Sequence, residues 1–223
     1  MRYVKSAFPP GTVIVPTSGM PRFQQFQESF ERLHVPENTR RALMVGSDMT
    51  RSLNKATDEM TGEWAFYIGD DHTFDPNILL RLLGHNLPIV VSLNISRFPP
   101  FGPTLLRGEM ATAQQIDWSE VPAHDQLWTL PADIHTGNNG MLVRKDVLDR
   151  IEKPVWRCGQ INPGRLNEDF YFWESVRKLG IPVIVDLGAP MWHANSFEVL
   201  PMLKDGKWSV GLACYGKVFM VKQ

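Results

Sequence analysis

Two cysteines in 223 residues, Cys158 and Cys214, are too few for a disulfide framework or a cysteine-based zinc site. Basic residues are not clustered, and 23 Lys and Arg against 24 Asp and Glu leave a net charge of −1. That balance argues against nucleic acid held by phosphate neutralisation. No stretch approaches the roughly 20 apolar residues of a membrane span. The opening MRYVKSAFPPG is too proline-rich and too short in apolar residues for a signal peptide. Walker, GxGxxG, GxSxG and HExxH motifs are all missing. These absences lead us to expect a soluble, cytoplasmic protein without a membrane span or nucleic-acid partner.

What is present alternates. Val13-Ile14-Val15 reads as a short buried strand, closed by Pro16-Thr17-Ser18-Gly19. Pro21 suits a first helical position, and Phe23, Phe26 and Phe30 recur at helix spacing. Ala42 to Val45 reads as a second strand, Thr50 to Met60 as a helix and Trp64 to Ile68 as a third strand. Asp75-Pro76 opens a helix with Ile78, Leu79, Leu82 and Leu83 on one face, and Pro88 to Leu93 is a fourth strand. This rhythm predicts an α/β fold with a mostly parallel central sheet and helices on both faces. Ligands of such sheets bind beyond the carboxyl ends of the strands. Thr17-Ser18, Ser47-Asp48 and Asp70-Asp71 all fall at that edge.

The pattern breaks down from Arg97 to about Ile134, where RFPPFGP forbids regular structure. A loop of that length in a compact domain is usually functional or carries a small extra element. Order returns with the strand Met141 to Val143, a short helix from Lys145, a strong helix from Glu168 to Leu179, and the strand Pro182 to Val185. We expect one domain over 1–196 and a C-terminal extension over 197–223, with WSVGLACYGKVFMV forming a small β-hairpin.

Several residue groups bear chemistry. Asp70-Asp71-His72 ends the third strand and reads either as a solvated turn before the Asp75 cap or as the holder of a hard divalent cation. Glu168 and Asp169 open a helix, where acidic side chains are favoured by the macrodipole alone. Asp169 precedes Phe172 and Trp173 on the inward face, where a carboxylate can line a pocket and act as a general base. A lone histidine such as His193, just past a strand, is more often structural than ligating. Its position nonetheless lets it face the same sheet edge as Asp71, and an imidazole would tilt metal preference from Mg²⁺ toward Mn²⁺. Gly137-Asn138-Asn139-Gly140 is a tight turn or a ligand-facing run of backbone N–H groups. His34, His85, His124 and His135 have no partner at a recognisable spacing.

In order and spacing, these features resemble the GT-A glycosyltransferases, the family 2 group in particular. VIVPTSG matches the opening strand and its Pro-Ser/Thr turn. Asn54, then Gly62-Glu63-Trp64 eight residues on, lead into AFYIGDD, where that family ends a strand in Asp-x-Asp. NEDFYFWESVRKLGIPVIVDLGAPMWH follows the later signature, an acidic pair opening a helix and a histidine after the next strand. The resemblance runs from about residue 12 to 195 and departs at two places. The first Asp of Asp-x-Asp falls on Gly69, with Asp70 in the middle place, and Leu53 stands where an Arg is usual.

The resemblance implies a transferase that moves a sugar from a nucleoside-diphosphate sugar to an acceptor hydroxyl on an unidentified protein or glycan. Thr17, Ser18, Asp48, Asn54 and Asp70 would line the nucleotide pocket. Asp71 and His193 would hold Mn²⁺ or Mg²⁺ at the DXD-like motif. Asp169, with Glu168 as the second candidate, would deprotonate the acceptor and invert the anomeric centre. Two alternatives remain: a nucleotidyltransferase, which normally adds a Gly-rich basic loop that PTSGMPRF matches poorly, and a non-catalytic nucleotide- or glycan-binding relative.

Overall fold

The structure is a computed structural model. It describes the chain except residues 18–22, 47, 98–100, 110–111, 162–163, 167, 196–197, 215–216 and 222–223, and gives backbone alone at 159–161, 164–166, 214, 217–219 and 221.

Its central element is a seven-stranded sheet. The strands are β1 (Thr12–Thr17), β2 (Arg40–Val45), β3 (Trp64–Tyr67), β4 (Ile89–Leu93), β5 (Leu127–Thr129), β6 (Met141–Arg144) and β7 (Ile184–Pro190), in the order β5-β7-β4-β6-β3-β1-β2. The β1–β2, β1–β3 and β4–β7 ladders are parallel. The β3–β6, β4–β6 and β5–β7 ladders are antiparallel. The sheet is therefore mixed, which corrects the expectation of a mostly parallel one. Met141 to Val143 has the continuous apolar character of a buried strand, and hydrophobicity carries no record of direction. No crossover helix precedes this strand: it leaves the GNNG turn and runs back between β3 and β4.

Alternation along the strands sorts the core onto two faces. Ile14, Tyr67, Val91 and Val143 pack with Leu53 and Ala56 of helix α2 (Met49–Asp58) and with Phe172, Trp173 and Val176 of helix α5 (Glu168–Lys178). Val13, Val15, Phe66, Val90 and Leu142 face the other way. They meet Phe26 and Phe30 of helix α1 (Gln24–Arg32) and Leu79 and Leu82 of helix α3 (Ile78–Gly84). Helices thus cover both faces, as the sequence predicts. Pro21 lies outside the described residues, and α1 begins after Phe23. A one-turn helix α4 (Lys145–Leu148) follows β6 directly. Among the described residues no helix is long and apolar enough to cross a membrane.

Two smaller sheets dress the carboxyl edge. Within the irregular 97–134 region and just after it, Leu105–Arg107, Gln114–Gln115 and Ile134–Thr136 form a three-stranded sheet, and Trp118–Glu120 forms a 3₁₀ turn with a capping box. The second sheet has five strands: His72–Thr73, Trp192–His193, Glu198–Lys204, Lys207–Cys214 and Lys217–Val221. Its register sets His193 directly opposite His72.

Candidate active site

The antiparallel insertion of β6 decides what gathers at the carboxyl edge. Met141 pairs with Tyr67 on one side and Val91 on the other. The GNNG turn before it therefore arrives beside Asp70 and Asp71, which follow β3, and Asn94, which follows β4. β7 runs parallel to β4 and pairs Pro190 with Leu93, bringing Trp192 and His193 to the same edge.

Asp71 is buried and surrounded by donors. Its Oδ1 lies 2.9 Å from His72 Nδ1, and its Oδ2 lies 2.9 Å from Arg97 Nη1 and 3.3 Å from His193 Nε2. Burial disfavours its charge, but hydrogen bonds from His193 and His72 more than offset that and hold the carboxyl far below the usual range. His72 is buried and pushed below its ordinary value by desolvation, with Asp71 opposing. The two imidazoles stack with centroids 4.3 Å apart.

His193 Nδ1 lies 3.0 Å from the Ile95 carbonyl. A carbonyl only accepts, so Nδ1 carries a proton there, and Nε2 is the ring atom turned toward Asp71. A backbone-anchored imidazole of this kind is how proteins orient a metal-ligating histidine. One atom each from Asp71, His72 and His193 lie within 4.8 Å of one another. One carboxylate and two imidazoles form a donor set that could hold a divalent transition metal, and Arg97 provides a neighbouring positive charge.

The break in the Asp-x-Asp pattern has a steric cause. A Cβ at Gly69 would stand 2.7 Å from Asn139 Oδ1 and 2.9 Å from Asp71 Oδ1. A side chain at this position would require the Asn139 and Asp71 side-chain ends to shift. Asp70, also buried, accepts a 2.9 Å hydrogen bond from Thr17 Oγ1 and ties the end of β1 to the end of β3.

Asp48 and Asn54 are engaged elsewhere. Asp48 Oδ1 caps α2 by accepting from Arg51 N at 3.0 Å. Asn54 Nδ2 donates to the Thr50 and Trp156 carbonyls, and its Oδ1 accepts from Trp156 N, so the amide fastens α2 to the segment around Trp156. Neither contacts the Asp71 cluster among the described residues. Ser18 and Asn167 lie outside the described residues.

Across the edge stands Asp169, in the first turn of α5. Its Oδ1 is buried without a hydrogen-bond partner among the described residues. Burial, helped by the charge of Glu168, pushes its carboxyl up to about 8. Glu168 instead accepts a hydrogen bond from Cys158 Sγ at 3.4 Å.

A cavity of about 290 Å³ is lined by His72, His193 and Asp169 together. Asn94, Thr136, Gly137 and Asn139 line it as well. The fold has a precedent.

Over 100% of this chain and 99% of the other, the structure is similar to A197 from STIV, at 12% identity and a TM-score of 0.55. Looser likenesses are to the inositol-1-phosphate CTP transferase from T. maritima and to S. aureus TarS 1–349. The first has 14% identity over 81% of this chain and 87% of that one, with a TM-score of 0.45. The second has 10% identity over 83% of this chain and 58% of that one, with a TM-score of 0.44. In sequence, no family model and no curated protein matches the chain.

Sequence reasoning missed three participants. His72 was in view beside Asp71, but only the cross-strand register makes it a neighbour of His193. Asn94 and Arg97 sit in motif-free sequence, and no spacing rule singles them out.

Proposed function

We propose that the chain is a metal-dependent glycosyltransferase of the GT-A, family 2-like type, using a nucleoside-diphosphate sugar. The observation that carries this reading is one cavity lined both by the His72–His193 pair of a three-ligand cluster and by Asp169, whose Oδ1 is buried without a partner among the described residues. Asp71, His72 and His193 would hold Mn²⁺ or Mg²⁺, which would neutralise charge on the departing diphosphate. Arg97 adds a fixed guanidinium on the same side. Thr17 and Asp70 brace the strand ends beneath the nucleotide.

Asp169 takes the proton of the acceptor hydroxyl as that oxygen bonds to the anomeric carbon. The bond from that carbon to the phosphate oxygen breaks, and the nucleoside diphosphate leaves. A carboxyl poised near neutrality is well matched to that task. Attack from the Asp169 side, opposite the metal cluster, inverts the anomeric centre. Glu168, engaged by Cys158, is the less suited of the acidic pair.

Thermal denaturation against a panel of nucleotide sugars, with and without Mn²⁺, tests the reading. A ligand at 100 times its dissociation constant adds about 2.7 kcal/mol. Stabilisation by a nucleotide sugar that grows with Mn²⁺ is expected, and no shift under either condition overturns the donor assignment. Pyrophosphate release from a nucleoside triphosphate and a sugar phosphate would favour the nucleotidyltransferase alternative.

A further inference from the structure

The cavity lined by the histidine pair and Asp169 has a chemistry of its own. Asn94 is buried, and its Nδ2 donates to the Ser92 carbonyl at 3.0 Å and the Asn139 carbonyl at 2.8 Å. Two carbonyl partners fix the amide orientation, so Oδ1 is the atom left over, buried and without a partner among the described residues.

His135, also buried, offers a second such atom. Its Nε2 lies 3.0 Å from the Gly108 carbonyl and 3.1 Å from Arg177 Nη1, while Nδ1 has no partner among the described residues. Whichever neighbour sets the tautomer, Nδ1 is left needing a donor or an acceptor. Desolvation, with Arg177 adding to it, pushes the imidazole below its ordinary value, so the ring is neutral at neutral pH. With Asp169 Oδ1, three buried polar atoms lacking partners sit on residues that line one cavity. Buried polar groups left unmade are costly, and their convergence marks a place that a ligand completes.

We infer that this cavity is the subsite for the transferred sugar, and that it selects a single neutral, polyhydroxylated ring through Asn94, His135 and Thr136. The inference rests on the glycosyl-transfer reading and adds the class of sugar to it. At about 290 Å³ the space is at the small end for a ligand pocket and holds one ring. Hydroxyl groups both donate and accept, so they satisfy an amide oxygen, a neutral imidazole and a carboxyl together. Leu106 and Phe170 supply apolar wall for the C–H face of a ring. Among the described lining residues none is Lys or Arg, while Asn94 Oδ1, an acceptor only, would oppose an anion. A uronate or another carboxylated sugar is thereby rejected.

The test is calorimetric titration of the full chain with UDP, GDP and dTDP, with their neutral hexose conjugates, and with UDP-glucuronate, all with Mn²⁺. We expect a neutral nucleotide sugar to bind more tightly than its bare nucleotide and than the uronate. In His135→Phe that sugar-dependent gain should fall about five- to tenfold, as for loss of one hydrogen bond, with bare-nucleotide affinity unchanged. Thr136→Val, which is nearly isosteric, is the second variant and should show a smaller loss of the same kind. Binding of the uronate equal to the neutral sugar overturns the inference, as does an undiminished gain in both variants. Either result would leave the glycosyl-transfer reading standing. Absence of binding by every nucleotide and nucleotide sugar overturns both.

Discussion

Asp71 and Asp169 are the same side chain in two settings at the carboxyl edge, one beside the histidine pair and one in the first turn of α5. Asp71 meets two imidazoles and a guanidinium, and its carboxyl is held far below the usual range despite its burial. Asp169 has a buried oxygen that meets no partner among the described residues and an acidic neighbour in Glu168, and its carboxyl is pushed up to about 8. A carboxylate saturated with donors is suited to holding a cation, and one starved of them is suited to moving a proton. The environment, not the residue type, separates the two roles.

Removing the proton acceptor is the strongest way to break this contrast. Asp169→Asn should lower transfer by about 10²- to 10⁴-fold while donor binding is kept. Steady-state rates set beside nucleotide-sugar affinity check this, and equal transfer by the variant would remove Asp169 as the base. At the histidine pair, His193→Ala should weaken Mn²⁺ binding by at least the roughly 10- to 100-fold that losing an outer-shell partner costs. An unchanged Mn²⁺ titration would return His193 to a purely structural role.

Gly69→Ala probes the crowding around Asp71, because the added Cβ meets Asn139 and Asp71. We expect a loss of about 1–3 kcal/mol in chemical denaturation, as for other overpacked sites. The smallest effect is in pH dependence. The folded state raises the Asp169 carboxyl above its ordinary value. The stability this lends is fully present below the ordinary carboxylate range. It is lost as pH climbs from there through about 8, and is level beyond. Relative to Asp169→Asn, the wild type should therefore lose stability across that window. Parallel stability–pH curves for the two proteins would show that Asp169 is solvated like an ordinary carboxylate.

Much of the scaffold is legible in the residues. Phe26 and Phe30 mark the buried face of α1, and Ile78, Leu79 and Leu82 that of α3. Strand positions at Val13 to Val15, Trp64 to Tyr67 and Ile89 to Leu93 follow from local β-branched and aromatic runs. The 97–134 region defeats such reading, because its strands are two or three residues long and are held by pairing with distant partners. The direction of β6 is equally silent, since a buried strand carries the same apolar run whichever way it points. Asn54 shows the reverse case, where a family-like spacing is met by an amide that the fold uses to hold Trp156.

By itself, the sequence determined the α/β class, the helices on both faces, and the set of acidic and histidine residues at the strand ends, because these depend on local periodicity and short spacing. Tertiary structure alone decided the antiparallel entry of β6, the His72–His193 register, the crowding at Gly69, and the opposite fates of Asp71 and Asp169. Each of these depends on which distant backbone comes to lie alongside. Proton affinity in particular is set by the donors and the solvent that the fold leaves within reach of a carboxylate.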